Sequence, residues 1–206
     1  NSIDGGAGND TVSYENSLAA VTLTLNGAVN SAAGVGGDAA GDVLVNVENL
    51  TGGSGADTLT GDSAVNILDG GTGNDTLLGD AGNDTLVGGT GTNVLNGGAD
   101  IDTADYSAQT DAVTINLSTS GTGTNISDTY TSIENVMGGA GADILTGDGG
   151  VNTLDGGAGN DTLLGGAGAD VLIGGDDDFV SYQGSGTTVT VDLTDGDADG
   201  WADELG

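Results

Sequence analysis

The chain has 206 residues, 32 of them Asp or Glu and none Lys, Arg or His, so its formal net charge is −32. Without basic side chains to meet phosphates, direct nucleic-acid binding is excluded, and anionic lipid surfaces and acidic polysaccharides are excluded except through a bridging cation. A charge of that size opposes compaction, and no internal ion pair offsets it, so an external cation is expected. There is no Cys, hence no disulfide framework and no thiolate site. With His, Cys and Lys all absent, nothing is present to activate a nucleophile, and no enzyme active site is expected. No apolar run approaches membrane-spanning length, so no membrane insertion is expected.

In chain order, residues 1–13 read as the end of a preceding repeat block, and the chain as one that starts inside a repeat. Asn1-Ser2-Ile3-Asp4 matches Asn66-Ile67-Leu68-Asp69 and Asn152-Thr153-Leu154-Asp155, and residues 5–13 read GGAGNDTVS. This is a nine-residue unit: six turn-forming residues closing on Asp or Asn, then a triplet with an apolar centre. Residues 14–51 leave that frame and form a spacer. Within it Val21-Thr22-Leu23-Thr24-Leu25 alternates like a half-buried strand, residues 26–41 form a Gly/Ala/Asn loop, and residues 43–51 are a degenerate unit. Glu48, nine residues before Asp57, fills the Asp slot there. Asp10 has no same-side partner in frame.

Residues 52–105 hold six units in register. Residues 52–60 are GGSGADTLT, 70–78 GGTGNDTLL, 79–87 GDAGNDTLV and 88–96 GGTGTNVLN, while 61–69 and 97–105 are imperfect copies. A fixed short period outranks any local helix or strand preference. Residues 106–137 repeat the first spacer: Tyr106 precedes Val113 as Tyr14 precedes Val21, and Ile133-Glu134-Asn135-Val136 copies Val47-Glu48-Asn49-Leu50. Residues 138–181 are a second repeat block, ending in the short unit 174–181 (GGDDDFVS). Residues 182–206 begin a third spacer, with Tyr182 and Val189-Thr190-Val191-Asp192-Leu193.

The chemistry of one unit explains its composition. Glycines permit positive φ and let backbone carbonyls crowd a common point, and the closing Asp adds a carboxylate. Such a hard oxygen site suits calcium. Two units make one turn of a flattened parallel coil, so loops stack on one side every eighteen residues. Asp57, Asp75 and Asn93 then form one column, and Asn66, Asp84 and Asp102 the other. A flexible glycine-rich linker gives no reason for Leu59, Leu68, Leu77, Leu86 and Leu95 to recur at nine-residue intervals. The predicted fold is all-β: a right-handed parallel β-roll in two segments, with spacers that add strands to it. A core this thin does not suffice alone, so metal binding becomes folding free energy.

The tandem GGxGxD followed by x-Leu-x resembles the repeats-in-toxin, or hemolysin-type calcium-binding, family. The resemblance implies that each calcium sits between two same-side loops. The first loop gives the carbonyls of its second and fourth residues and its Asp; the next gives the carbonyls of its first and third residues and its Asp. It implies sites at Gly53, Gly55 and Asp57 with Gly70, Thr72 and Asp75, and at Gly139, Gly141 and Asp143 with Gly156, Ala158 and Asp161. A third joins Asp80, Gly82 and Asp84 to Gly97, Ala99 and Asp102, with Asp100 replacing a turn glycine. Asn66, Asn93 and Asn152 fill Asp slots with an uncharged amide oxygen, which implies weaker sites. Asp170 fills the slot of residues 165–173, and Asp178 pairs with Asp161 provided the short last unit keeps its turn.

Other features are weighed beside these. Tyr14, Tyr106 and Tyr182 follow the ends of repeat blocks and are read as caps on the Leu ladders rather than as carbohydrate-stacking rings. Asp195-Gly196-Asp197-Ala198-Asp199-Gly200 opens like a helix–loop–helix calcium loop, with Asp203 at its ninth place. Gly206 stands where the bidentate Glu is needed, so an acidic loop is expected. Ser54, Thr72 and Thr90 form one short column, too limited for an ice-binding face. The preferred function is a calcium-binding structural module of an extracellular or cell-surface bacterial protein: an adhesin stalk, surface layer or filament. The alternatives are a folding and secretion module attached to a secreted enzyme, and a carbohydrate-binding module. The resemblance implies export by type I secretion in an unfolded, calcium-poor state. End-to-end self-association or continuation into further repeats is expected.

Overall fold

The computed structural model describes residues 1–27, 34–174, 178–181, 183–185 and 190–192. Tyr182 and the loop from Asp195 to Asp203 lie outside the described residues. The chain forms two compact units, Asn1–Ala104 with Ile126–Ile133, and Asp105–Asn125 with Glu134–Gly206.

The apolar centre of each triplet decides the local structure. Alternation places that residue on one face and its neighbours on the other, and the triplets are strands with a buried centre and partly exposed flanks. In the first unit Thr58–Thr60 pairs in parallel with Thr76–Ala81, and that strand with Val94–Ala99. The register sets Leu59 against Leu77 and Leu77 against Leu95, the eighteen-residue offset of the sequence reading. On the opposite ladder Asn49–Thr51, Ile67–Asp69 and Thr85–Val87 pair likewise, aligning Leu50, Leu68 and Leu86. All six of these leucines are fully buried, each contributing about 1.5–3 kcal/mol of burial. The second unit repeats the pattern with Leu145 and Leu163 on one ladder and Leu154 and Leu172 on the other. This is an all-β parallel roll.

The first two spacers join these ladders by one device. Ser17 N–H donates to the Tyr14 carbonyl and Gln109 N–H to the Tyr106 carbonyl, each at 2.8 Å. The turn carbonyls then receive the first repeat loop: Ser54 N–H on Ser17, and Ala140 N–H on Gln109, both at 2.9 Å. The spacer strands follow, Thr22–Thr24 against Thr58–Thr60 and Val113–Asn116 against Ile144–Thr146, both parallel. Tyr14 and Tyr106 are buried, which leaves no open ring face for a sugar to stack on.

The spacers differ in how they return. The first contains a 3-10 turn at Gly37–Ala39 and pairs Val43–Val45 with Ser2–Asp4. The second makes an antiparallel hairpin, Val113–Asn116 with Ser120–Gly123. Ile126–Thr131 then packs in the first unit as a parallel partner of Val94–Ala99.

Candidate metal centres

Each repeat loop from residue 52 onward ends in a buried carboxylate or amide. Asp57, Asp75, Asp84, Asp102, Asp143, Asp161 and Asp170 are at most 1 % exposed, as are Asn66, Asn93 and Asn152. Burial of so many acidic groups follows from the turn: the Asp is the last loop residue, and the strand after it is anchored by its buried Leu.

One carboxylate oxygen of each Asp is used to stack the loops. Asp57 N–H donates to Asp75 Oδ1 at 2.7 Å, and Asp75 N–H to Asn93 Oδ1 at 2.9 Å. In the other column Asn66 N–H donates to Asp84 Oδ1 and Asp84 N–H to Asp102 Oδ1, both at 2.8 Å. The second unit repeats this from Asp143 to Asp161 at 2.7 Å and from Asn152 to Asp170 at 3.0 Å. Asp161 N–H reaches Asp178 Oδ1 at 2.7 Å although the spacing has dropped to 17 residues.

The other oxygen is different. Oδ2 of Asp75, Asp84, Asp161 and Asp170 is buried and receives no hydrogen bond. Glycine geometry locates what faces it. A methyl group on Gly70 would lie 2.6 Å from Asp75 Oδ2 and 2.9 Å from the Gly88 carbonyl oxygen. On Gly52 it would strike Asp57 Oδ2 and lie 2.7 Å from the Gly70 carbonyl oxygen. Gly79 stands in the same relation to Asp84 and the Gly97 carbonyl, and Gly138 to Asp143 and the Gly156 carbonyl. A carboxylate oxygen and the first carbonyl of the next same-side loop thus converge at these four levels. In the first loop of each block Oδ2 also accepts its own loop's N–H, from Gly53 to Asp57 at 2.6 Å and from Gly139 to Asp143 at 2.8 Å.

The remaining expected donors line the loop-to-loop seam. The Gly53 carbonyl accepts Thr72 N–H at 2.9 Å and the Gly139 carbonyl accepts Ala158 N–H at 2.8 Å. The Gly55 and Gly141 carbonyls lie where a methyl on Gly73 or Gly159 would fall. Asp80 and Ala99 belong to extended strands that pair Asp80 with Gly98 and Ala81 with Ala99. Gly82 N–H donates to Asp100 Oδ2 at 3.3 Å, and Asp100 itself adopts the positive φ of the turn glycine it replaces, 80°.

Desolvation pushes the Asp75, Asp84 and Asp161 carboxyls up to about 6. The N–H donors on Oδ1 pull the other way, and a nearby carboxylate adds to the rise: Asp57 beside Asp75, Asp102 beside Asp84, Asp178 beside Asp161. A buried anionic oxygen without a donor is costly unless a cation meets it. Among the described residues no three acidic side chains converge. The available donors are carboxylate oxygens with backbone carbonyls, the set a hard divalent cation such as calcium accepts. The residues therefore fit the ion.

Two column members escape the nine-residue frame. Asp10, expected to lack a same-side partner, has one: its N–H donates to Glu48 Oε2 at 2.9 Å, and Thr11–Ser13 pairs with Asn49–Thr51. The frame misses this because the spacer is looped out between them. Asp128 is fully buried and accepts Asn93 N–H at 3.0 Å, continuing the column of Asp57, Asp75 and Asn93. The signal was Asp128-Thr129-Tyr130-Thr131, a copy of Asp75-Thr76-Leu77-Leu78 set 35 residues after Asn93 rather than at a multiple of nine.

The three Asn residues differ from the Asp residues in their second contact. Asn66 Nδ2 donates to the Glu48 carbonyl at 2.7 Å and Asn152 Nδ2 to the Glu134 carbonyl at 2.9 Å. Asn93 Nδ2 donates to Asp128 Oδ1 at 2.8 Å.

No curated protein matches the chain. The family model described as the RTX calcium-binding nonapeptide repeat (four copies) matches residues 1–16, 47–77, 69–104, 129–163 and 155–180. These matches cover more than half of the sequence and contain the column residues Asp57, Asp75, Asp84, Asp102, Asp143, Asp161 and Asp170. With the tandem repeat, the stacked parallel ladders and the converging oxygens in agreement, the chain belongs to the RTX calcium-binding nonapeptide repeat family, whose repeats bind calcium ions.

Proposed function

We propose that the chain is a calcium-folded structural module of an extracellular or cell-surface bacterial protein, of the kind that builds an adhesin stalk, a surface layer or a filament. The observation that carries this reading is the column of buried Oδ2 oxygens without donors. A formal charge of −32 with no basic side chain makes those oxygens dependent on an external cation. The proposed ligands are Asp57 with Gly53, Gly55, Gly70, Thr72 and Asp75, and Asp143 with Gly139, Gly141, Gly156, Ala158 and Asp161. A third set is Asp84 with Asp80, Gly82, Gly97, Ala99 and Asp102. Asp170 and Asp178 extend the second unit, and the Asn93 amide oxygen adds an uncharged donor in the first. Calcium-poor cytoplasm keeps such a chain unfolded and fit for type I secretion, and extracellular calcium folds it.

Circular dichroism and hydrodynamic radius in chelator and in calcium test the reading. At neutral pH the expected result is an expanded chain without β signal in chelator, and compaction with β signal as calcium rises. A chain fully folded in chelator overturns it. A parallel ladder accepts a further strand at any uncovered edge, so continuation into like repeats or end-to-end association in calcium is part of the proposal. Light scattering in calcium reads the association, and a strictly monomeric mass at high concentration removes that part.

A further inference from the structure

Each unit contains one loop whose closing residue is Asn rather than Asp and whose same-side neighbour below is a spacer segment instead of a repeat. In the first unit this is Asn66 above Glu48; in the second it is Asn152 above Glu134. The two copies share three contacts. Asn66 Oδ1 accepts Asp62 N–H at 2.8 Å, and Asn152 Oδ1 accepts Asp148 N–H at 2.9 Å. Asn66 Nδ2 donates to the Glu48 carbonyl at 2.7 Å, and Asn152 Nδ2 to the Glu134 carbonyl at 2.9 Å. A second amide closes the same junction: Ile67 N–H donates to Asn49 Oδ1 at 2.9 Å, and Thr153 N–H to Asn135 Oδ1 at 3.1 Å.

At the Asp75, Asp84, Asp161 and Asp170 levels both side-chain oxygens are acceptors: one takes an N–H from the loop below and a cation must meet the other. At the two Asn levels the side chain is a donor toward the loop below. Its N–H occupies the Glu48 or Glu134 carbonyl, and it brings no negative charge. Both side chains are fully buried, so water does not substitute for these contacts.

We propose that Asn66 and Asn152 close the junction between spacer and roll in each unit by direct amide hydrogen bonds, so that these two levels take no calcium and mark where each metal-dependent column begins. Asn66 Oδ1 and the Gly79 carbonyl still face a common point beside Gly61, as Asn152 Oδ1 and the Gly165 carbonyl do beside Gly147. The amide oxygen accepts one N–H of its own loop and keeps a second lone pair for the level above, shared with Asp84 or Asp170, while the amide nitrogen shuts the level below. At these two spacer junctions the amide at the closing position sets that the level is not a metal site.

The inference rests on calcium folding of the module, and its test separates the two. Native mass spectrometry of the full chain in calcium counts bound ions for the wild type and for N66D, N152D and the double variant. An Asp at either position sets an oxygen against the Glu48 or Glu134 carbonyl, two acceptors facing each other, which a cation must bridge. The expected counts are the wild-type number plus one, plus one and plus two. Counts equal to or below the wild type in folded variants overturn the inference. A second measurement needs no variant. In the calcium-saturated wild type the side-chain NH₂ protons of Asn66 and Asn152 are expected to exchange far more slowly than those of an exposed Asn, and exchange at the exposed rate overturns the inference. A wild type that binds no calcium at all overturns the proposed function instead.

Discussion

A buried carboxylate oxygen without a donor is stable only when a cation or a proton meets it, and this governs what single residues do here. Asp75 accepts Asp57 N–H through Oδ1 while its buried Oδ2 has no donor. Asn93 occupies the same column but is neutral and donates through Nδ2 to Asp128. Interactions of charged groups are worth about 1.5–3 kcal/mol and neutral hydrogen bonds about 0.5–1.5 kcal/mol. Asp75→Ala is therefore expected to raise the calcium midpoint of folding on the order of tenfold or more, and Asn93→Ala by less; equal shifts in a dichroism titration contradict the stacking scheme.

The proton is the other partner. The Asp75, Asp84 and Asp161 carboxyls are raised in the fold from an ordinary value of 3.8 to about 6. A raised folded-state value means the folded chain binds the proton more tightly than the unfolded chain. That contribution to stability is complete below the ordinary value and is lost as pH climbs through about 6. In chelator, the β signal is expected to be strongest near pH 4 and to fade toward neutrality, whereas a flat or reversed profile rules this out.

At the scale of the loop and its triplet, stacking depends on glycines of two kinds. Gly71 has φ +85°, and a methyl group there would lie 2.5 Å from the Gly53 carbonyl oxygen. Gly6 has φ +93° but nothing within 4 Å. An L residue in the left-handed region costs about 1–2 kcal/mol at either place. Only at Gly71 does the added carbon also meet backbone that is held by Thr72 N–H on the Gly53 carbonyl. Gly71→Ala is expected to lower the thermal midpoint in saturating calcium clearly more than Gly6→Ala. Equal losses would show that the loops are not in close contact.

At the scale of the whole chain, stability is a property of the chain together with its ions. The leucine ladders are one side chain thick, and each unit carries its own pair of them. A ligand bound only by the folded state stabilises it by RT ln(1 + [L]/Kd) per site. For extracellular modules Kd is roughly 10⁻⁴–10⁻³ M. Calorimetry is expected to show a thermal midpoint that keeps rising as calcium increases through and beyond that range, because several sites add their terms. A midpoint independent of calcium would mean that the hydrophobic ladders suffice alone.

The sequence by itself determined the period, the parallel ladders, the buried leucines and the Asp slots. These are properties of consecutive residues, and a nine-residue frame with an apolar centre leaves one way to bury Leu59, Leu68, Leu77, Leu86 and Leu95 together. The equivalence of the Tyr14 and Tyr106 turns was legible for the same reason, since each is continuous with the repeat block beside it. The partnership of Asp10 with Glu48, the place of Asp128 above Asn93, and the direction of the Asn66 and Asn152 amides were not. Each depends on where the chain returns after an excursion of 18 to 38 residues. An Asn side chain also reads the same in sequence whether its oxygen or its nitrogen faces the neighbouring loop. Only packing brings a carbonyl to one side and an N–H to the other, and that arrangement decides which end of the amide each meets.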